Sequence, residues 1–281
     1  MAAGGVRVVL VTGASSGIGQ ACATLLAKRG LTVYGTSRYA SGSGHPVSGQ
    51  PVLIPMDVRD EGSVAAAVER VVSNEGRIDA VINNAGCGLA GPVEETTLSE
   101  AQAQFEVNFF GVLRVCRAVL PIMRRQRSGY IVNIGSIGGV IAIPFQSMYS
   151  ASKFALEGLS ESLRYEVAEF GIRVILIEPG DHRTAFTQNR KTVQQLDQKS
   201  EYANTCSAAN ARMEADEQNG PGAENVAALV DRVLRLSNPR LRYTTGPSAQ
   251  RAAVWLKRLL PYRVVEAGVR SYYRLGEKSK P

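Results

Sequence analysis

The feature that most restricts this chain is an alternation of two kinds of segment along most of its 281 residues. Short β-branched runs, VRVVLVTG, LTVYGTS, VLIPMDV, IDAVINNAG, GYIVNIGS and IRVILIEPG, have the continuous apolar character of strands buried on both faces. Between them apolar residues recur at helical spacing. QACATLLAKRG stops at Gly30; further helices are expected around Val64 to Val72, from about Ser99 to Arg125, and through Tyr149. A helix near Ala223 to Leu236 and a strand near LRYTTG close the series. Strands that alternate with helices pair in parallel through right-handed crossovers, so the expected fold is α/β, a doubly wound parallel sheet of about seven strands flanked by helices. Ligands bind such sheets beyond the carboxyl ends of the strands, which is where chemistry should be sought.

With 44% hydrophobic residues and no Pro/Ser-rich linker, residues 1–281 read as a single domain. No apolar run reaches the ~18–20 residues that cross a bilayer. The N-terminal apolar run leads straight into glycines and reads as a strand, not a signal peptide. Cys22, Cys87, Cys116 and Cys206 are scattered without a CxxC pair, so neither zinc nor disulfides are expected, and a cytoplasmic location is the simplest setting. The net charge of +7 is uneven: residues 251–281 hold eight Lys/Arg against two acidic residues, which leaves +1 for the rest. A neutral body does not fit nucleic acid. The basic segment at about 248–281 interleaves Trp255, Leu256, Leu259, Leu260, Tyr272 and Tyr273 with its cations. Two readings stay open there: weak peripheral contact with anionic lipid, or a helix packing its apolar face on the domain.

TGASSGIG, Thr12 to Gly19, lies between the first strand and the first helix. Glycines at 13, 17 and 19 permit a tight turn and close approach of a ligand, and the helix N-terminus offers free N–H groups to a pyrophosphate. The second strand ends in GTSRYAS, with Ser37 and Arg38 and no carboxylate. An acidic residue there would favour a free ribose 2′-hydroxyl, whereas a basic one favours a 2′-phosphate, so NADP(H) is expected over NAD(H). Asp57, at the end of the third strand, would either accept from the adenine amine or cap the next helix. In YSASK, Tyr149 and Lys153 share one helix face, where the ammonium would lower the phenol pKa and suit it to proton transfer.

Taken together, these motifs resemble the short-chain dehydrogenase/reductase family, with the match running from Val6 to about Thr187. The resemblance implies a Rossmann-type fold and a catalytic set of Asn108, Ser136, Tyr149 and Lys153. It implies a cofactor shell of Gly13, Ser15, Ser16, Gly17, Ile18, Gly19, Ser37, Arg38, Asp57, Val58, Asn84, Ala85, Gly86, Tyr149, Lys153, Pro179, Gly180 and Thr184. In that scheme Ser136 holds the substrate oxygen, Tyr149 exchanges a proton with it, Lys153 holds the nicotinamide ribose, and Asn108 holds a water joining Lys153 to solvent. No metal is required.

Between Ser136 and Tyr149, the segment IGGVIAIPFQSM makes an apolar wall, and with TAF downstream it is similar to the 17β-hydroxysteroid and retinol dehydrogenase branch. A bulky lipophilic ketone or alcohol is therefore implied, steroid-, retinoid- or polyketide-like, with Val140, Phe145, His182 and Phe186 joining Ser136 and Tyr149 around it. The polar stretch at about 181–222 reads as a mobile lid. A homodimer or homotetramer is expected. The alternatives are a specialised biosynthetic reductase of the same fold and a non-catalytic NADP(H) sensor, against which the complete catalytic set argues.

Overall fold

In the computed structural model, which describes residues 5–42 and 44–276, the chain runs as the alternation requires. It passes through β1 (Val8–Val11), α1 (Gly17–Lys28), β2 (Thr32–Ser37), β3 (Val52–Pro55), α2 (Glu61–Glu75), β4 (Ala80–Asn83) and β5 (Leu89–Ala90). Next come α3 (Leu98–Phe105), a π-helical turn (Glu106–Phe110), α4 (Gly111–Gln126), β6 (Gly129–Ile134), α5 (Ser147–Glu166) and β7 (Ile172–Pro179). The last part holds α6 (Phe186–Asn189), β8 (Lys191–Thr192), α7 (Ala203–Asn219), α8 (Glu224–Leu234), β9 (Arg242–Thr245), α9 (Ser248–Lys257) and α10 (Tyr262–Tyr272).

Seven strands form one sheet in the order β3-β2-β1-β4-β6-β7-β9, and every neighbouring pair is parallel. All carboxyl ends therefore open on one edge, with the change of winding direction between β1 and β4. Successive residues of β1 feed opposite faces. Val8 and Leu10 join the core under α2, α4 and α5, while Val9 and Val11 join the core under α1 and α8. Burial on both sides explains why these strands read as unbroken apolar runs.

Helix ends follow local chemistry. Asp60 caps α2 by accepting from Ser63 N–H at 2.5 Å, and Gly76 ends it in the left-handed conformation. Asp57 is therefore not the cap, which removes one of its two expected roles. Thr97 and Glu100 form a reciprocal capping box at the start of α3. The stretch at 181–222, expected as a lid, has secondary structure of its own. It holds α6 and α7, and β8 pairs with β5 to tie it to the domain, Leu89 opposite Lys191. The C-terminal segment forms α9 and α10 up to residue 276; its remainder, 277–281, lies outside the described residues.

Candidate active site

The loop after β1 and the NNAG segment after β4 are stitched together by buried polar groups. Thr12 Oγ1 accepts from the backbone N–H of both Asn84 and Ala85 at 2.9 Å, while Asn84 Nδ2 donates to the carbonyls of Thr12 and Gly13 at 3.0 Å. The side chain of Asn84, expected in the cofactor shell, thus holds the loop. Gly13 has φ +65°, and a Cβ there would lie 2.9 Å from Ala85 Cα. At Gly19 a Cβ would collide with the Gly13 carbonyl and the Asn84 amide, so only glycine lets α1 begin this close to the sheet. Ser15 and Ser16 are exposed beside the first turn of α1, whose leading N–H groups have no partner within the helix. Thr184 faces the same loop, with its Cβ 3.5 Å from where a Gly17 Cβ would stand. This cradle fits a dinucleotide pyrophosphate held by residues 13–19 and bordered by Thr184.

At the end of β2, Ser37 is buried and Arg38 is exposed, its guanidinium 5.4 Å from the Tyr39 ring centroid. Asp57 pairs with Arg59, Nη2 to Oδ2 at 2.6 Å, and this bond, with the nearby charges of Arg59 and Arg38, holds its carboxyl below the usual range. Two arginines against one aspartate leave a surplus of positive charge here. Sequence reasoning missed Arg59; its place two residues beyond Asp57, at the end of the third strand, was the available signal.

The four expected catalytic residues gather past the ends of β4 and β6. Ser136 Oγ accepts from Gly138 N–H at 3.0 Å, and a Cβ on Gly138 would touch both it and the Tyr149 ring, at 3.3 and 3.2 Å. Lys153 Nζ donates to Ile134 O at 2.8 Å and lies 5.8 Å from the Tyr149 ring centroid. Asn108 sits in the π-helical turn. Its Oδ1 accepts from Cys87 N–H at 2.9 Å and its Nδ2 donates to Cys87 O and to Ser152 Oγ, both at 3.1 Å. A Cβ on Gly86 would lie 3.5 Å from Asn108 Oδ1 and 4.0 Å from Lys153 Nζ, so Gly86, Asn108 and Lys153 form one small floor. The extra residue of the π turn re-aims the helix face, as such bulges do at functional sites.

Burial overrules the expectation that Lys153 lowers the Tyr149 pKa. Desolvation pushes the phenol up to about 12; the nearby Ser136 hydroxyl pulls the other way, and Glu217 and Asp181 raise it further against Arg190. Tyr149 is consequently a neutral phenol near neutral pH, ready to give a proton. Desolvation also brings Lys153 down to about 8.

Of the expected substrate residues, Phe186 lies over Tyr149 with ring centroids 5.6 Å apart, and Phe145 helps line a cavity of about 540 Å³ with Pro92, Val93, Pro144, Tyr202 and Leu275. Val140 is half-buried and its carbonyl accepts from Lys257. His182 is turned to other work: Nδ1 lies 2.9 Å from Gly180 O and Nε2 3.4 Å from Asn225 Oδ1, so both ring nitrogens face the junction of β7, β9 and α8. Pro179 ends β7, and Gly180 donates its N–H to Thr245 O at 2.7 Å. A buried polar cluster under the lid was not anticipated. Arg190, with a side chain 4% exposed, pairs with Glu217, which also accepts from Thr187 Oγ1 at 2.5 Å. Arg190 Nε and Nη1 have no hydrogen-bond partner among the described residues. Burial raises the Asp181 carboxyl to about 6 although Gln250 donates to it.

Comparison with known proteins agrees with this geometry. The family model described as short chain dehydrogenase matches residues 7–195. The chain is 41% identical to 3-ketodihydrosphingosine reductase of Bacteroides thetaiotaomicron over 269 residues, 96% of this chain and 98% of that one. It is 37% identical to estradiol 17-beta-dehydrogenase 1 of Rattus norvegicus, covering 84% of this chain and 72% of that one. A short-chain dehydrogenase structure from Streptomyces avermitilis superposes with a TM-score of 0.79 at 34% identity, covering 98% of this chain and all of that one.

Proposed function

Because this chain belongs to the short-chain dehydrogenase family, we propose that it is an NADP(H)-dependent reductase that converts the ketone of a long, lipophilic substrate into an alcohol. The observation that carries this reading is the buried Ser136–Tyr149–Lys153 group, in which the phenol is protonated and the ammonium lies beneath it. A neutral Tyr149 is in the protonation state that reduction requires of its proton donor.

The cofactor, when bound, supplies hydride to the carbonyl carbon. Tyr149 gives its proton to the carbonyl oxygen, which becomes the hydroxyl of the product, and a tyrosinate remains. Ser136 steadies that oxygen through its hydroxyl, and the Lys153 charge stabilises the tyrosinate until it is reprotonated. Asn108 positions the helix turn and, through Ser152, whose hydroxyl donates to Tyr149 O at 2.7 Å, the start of the catalytic helix.

Arg38 and Arg59 support NADP(H), since a 2′-phosphate would meet a surplus of positive charge at the end of β2. The largely apolar walls of the 540 Å³ cavity, which also include Glu94 and Ser147, and the Phe186 ring support a lipophilic substrate, and the relation to a 3-ketodihydrosphingosine reductase supports a long-chain keto lipid in particular. Steroid and retinoid carbonyls come second. The four free cysteines favour a cytoplasmic setting. A homodimer or homotetramer is the expected assembly, for which Phe154 and Tyr165 on α5 offer exposed aromatic surface.

The test is consumption of NADPH and of NADH against long-chain 3-keto lipids, steroid and retinoid carbonyls, and small aryl ketones. NADPH and the long-chain ketone should give the highest kcat/KM. Equal use of both cofactors would remove the 2′-phosphate reading, and a preference for small polar ketones would remove the lipid one.

A further inference from the structure

After β9 the chain leaves the sheet and forms α9 and α10, joined by a turn at 258–261. Val254 is the one buried residue of α9, and α10 has none. Outward, six large apolar residues are exposed within 255–264: Trp255 at 61%, Leu256, Leu259 at 63%, Leu260, Tyr262 at 74% and Val264. Soluble surfaces carry such residues singly, and a contiguous group marks a contact with an apolar partner. Exposed Arg251, Arg258 and Arg263 are interleaved with them. Over residues 248–276 six cations face one acid, Glu266.

We propose that the α9–α10 segment is a peripheral docking surface for an anionic lipid bilayer, with Trp255, Leu259, Leu260 and Tyr262 entering the headgroup region and the arginines binding lipid phosphates. Aromatic and leucine side chains ringed by arginine are suited to a boundary that is apolar on one side and charged on the other. Charge decides the occupant: a second copy would bring an equally basic segment against this one, whereas an anionic membrane is complementary. No helix among the described residues is long and apolar enough to cross a membrane, so the contact is superficial.

The segment also touches elements that flank the site. Lys257 donates to Val140 O, in the loop between Ser136 and Tyr149, and its ammonium lies 5.1 Å over the Phe154 ring. On α10, Tyr272 donates to Asp216 of α7 at 2.5 Å, with Arg212 4.6 Å over its ring. Leu275, just beyond α10, forms part of the cavity wall with Phe145 and Tyr202. The docked face thus adjoins the cavity and the lid helix, so that docking would present a bilayer-borne substrate beside the cavity. This purpose rests on the lipophilic-substrate reading; the binding itself does not.

Trp255 is the sole tryptophan of the chain, which makes its fluorescence a direct probe. Full-length protein is mixed with phosphatidylcholine vesicles with and without phosphatidylglycerol, and binding is followed by flotation and by Trp255 emission. We expect flotation only with phosphatidylglycerol, a blue shift of Trp255, quenching by brominated lipid, and loss of binding as salt rises from ~0.05 M to ~0.5 M. Arg258→Glu with Arg263→Glu should weaken vesicle affinity on the order of a hundredfold, and Leu259→Ser with Leu260→Ser should abolish the blue shift. Both pairs should leave turnover of a water-soluble ketone unchanged. Absence of flotation, flotation without a change at Trp255, or variants that alter oligomer size but not vesicle binding would each overturn the proposal. Failure of ketone turnover with intact flotation would count against the reductase reading alone.

Discussion

Replacing Lys153 with methionine should make the protein more stable while abolishing its activity. The lysine is 6% exposed, and burial brings its pKa from 10.5 down to about 8. At ~1.36 kcal/mol per pH unit, the folded chain holds this ammonium at pH 7 against a penalty of about 3 kcal/mol. Methionine fills the same space but leaves Ile134 O without its donor, a loss of about 1 kcal/mol, so the net gain is about 2 kcal/mol. With an unfolding entropy of ~2.1 cal/mol/K per residue, that corresponds to about 3 °C in Tm. The sign follows from linkage. Below the folded pKa of about 8 the penalty is complete. As pH rises from about 8 towards 10.5, the folded lysine is neutral while the unfolded one stays charged; the wild type gains stability and the gap closes. Differential scanning fluorimetry of both proteins across this range, paired with NADPH turnover, checks it. A variant that melts below the wild type at pH 7, or a gap that does not narrow with pH, would refute the account of Lys153 as a desolvated functional charge.

Arg38→Glu should raise KM for NADPH at least tenfold and change KM for NADH little, since a charge that attracts one phosphate is being reversed; equal effects in steady-state kinetics would remove Arg38 from the 2′-phosphate site. Gly19→Ala should destabilise the fold by about 1–3 kcal/mol through overpacking against Gly13 and Asn84, and should weaken NADPH binding in a fluorescence titration; unchanged binding would mean that the loop does not cradle the dinucleotide.

The sheet was legible because strands buried on both faces must be apolar throughout, and Leu10, Ile82 and Ile177 are fully buried. Tyr149 and Lys153 followed from helical spacing, whereas Ser136 followed only from the resemblance of its motif to the family. The Tyr149 pKa was misjudged because a sequence shows the neighbouring charge and not the desolvation, which here is larger. Asp57 misled because its partner Arg59 and the true cap Asp60 are adjacent, and only the backbone course separates their roles. The lid was read from the length and polarity of residues 181–222; the buried Arg190–Glu217 pair and the β5–β8 ladder within it were not legible, because both are contacts between distant segments. His182 drew attention as one of two histidines, yet its ring serves the strand junction.

The measurement that bears most directly on the account is single-turnover oxidation of bound NADPH by a long-chain ketone in wild type and Tyr149→Phe. Removing the proton donor while the fold, Ser136 and the cofactor loop remain should slow the step by ~10²–10⁴-fold, with NADPH affinity unchanged. Across pH, the wild-type rate should fall above about 8, as the ammonium of Lys153 is lost. A Tyr149→Phe enzyme that keeps more than a few per cent of the wild-type rate with intact NADPH binding would contradict the assignment of Tyr149 as the acid, and with it the mechanism proposed for this chain.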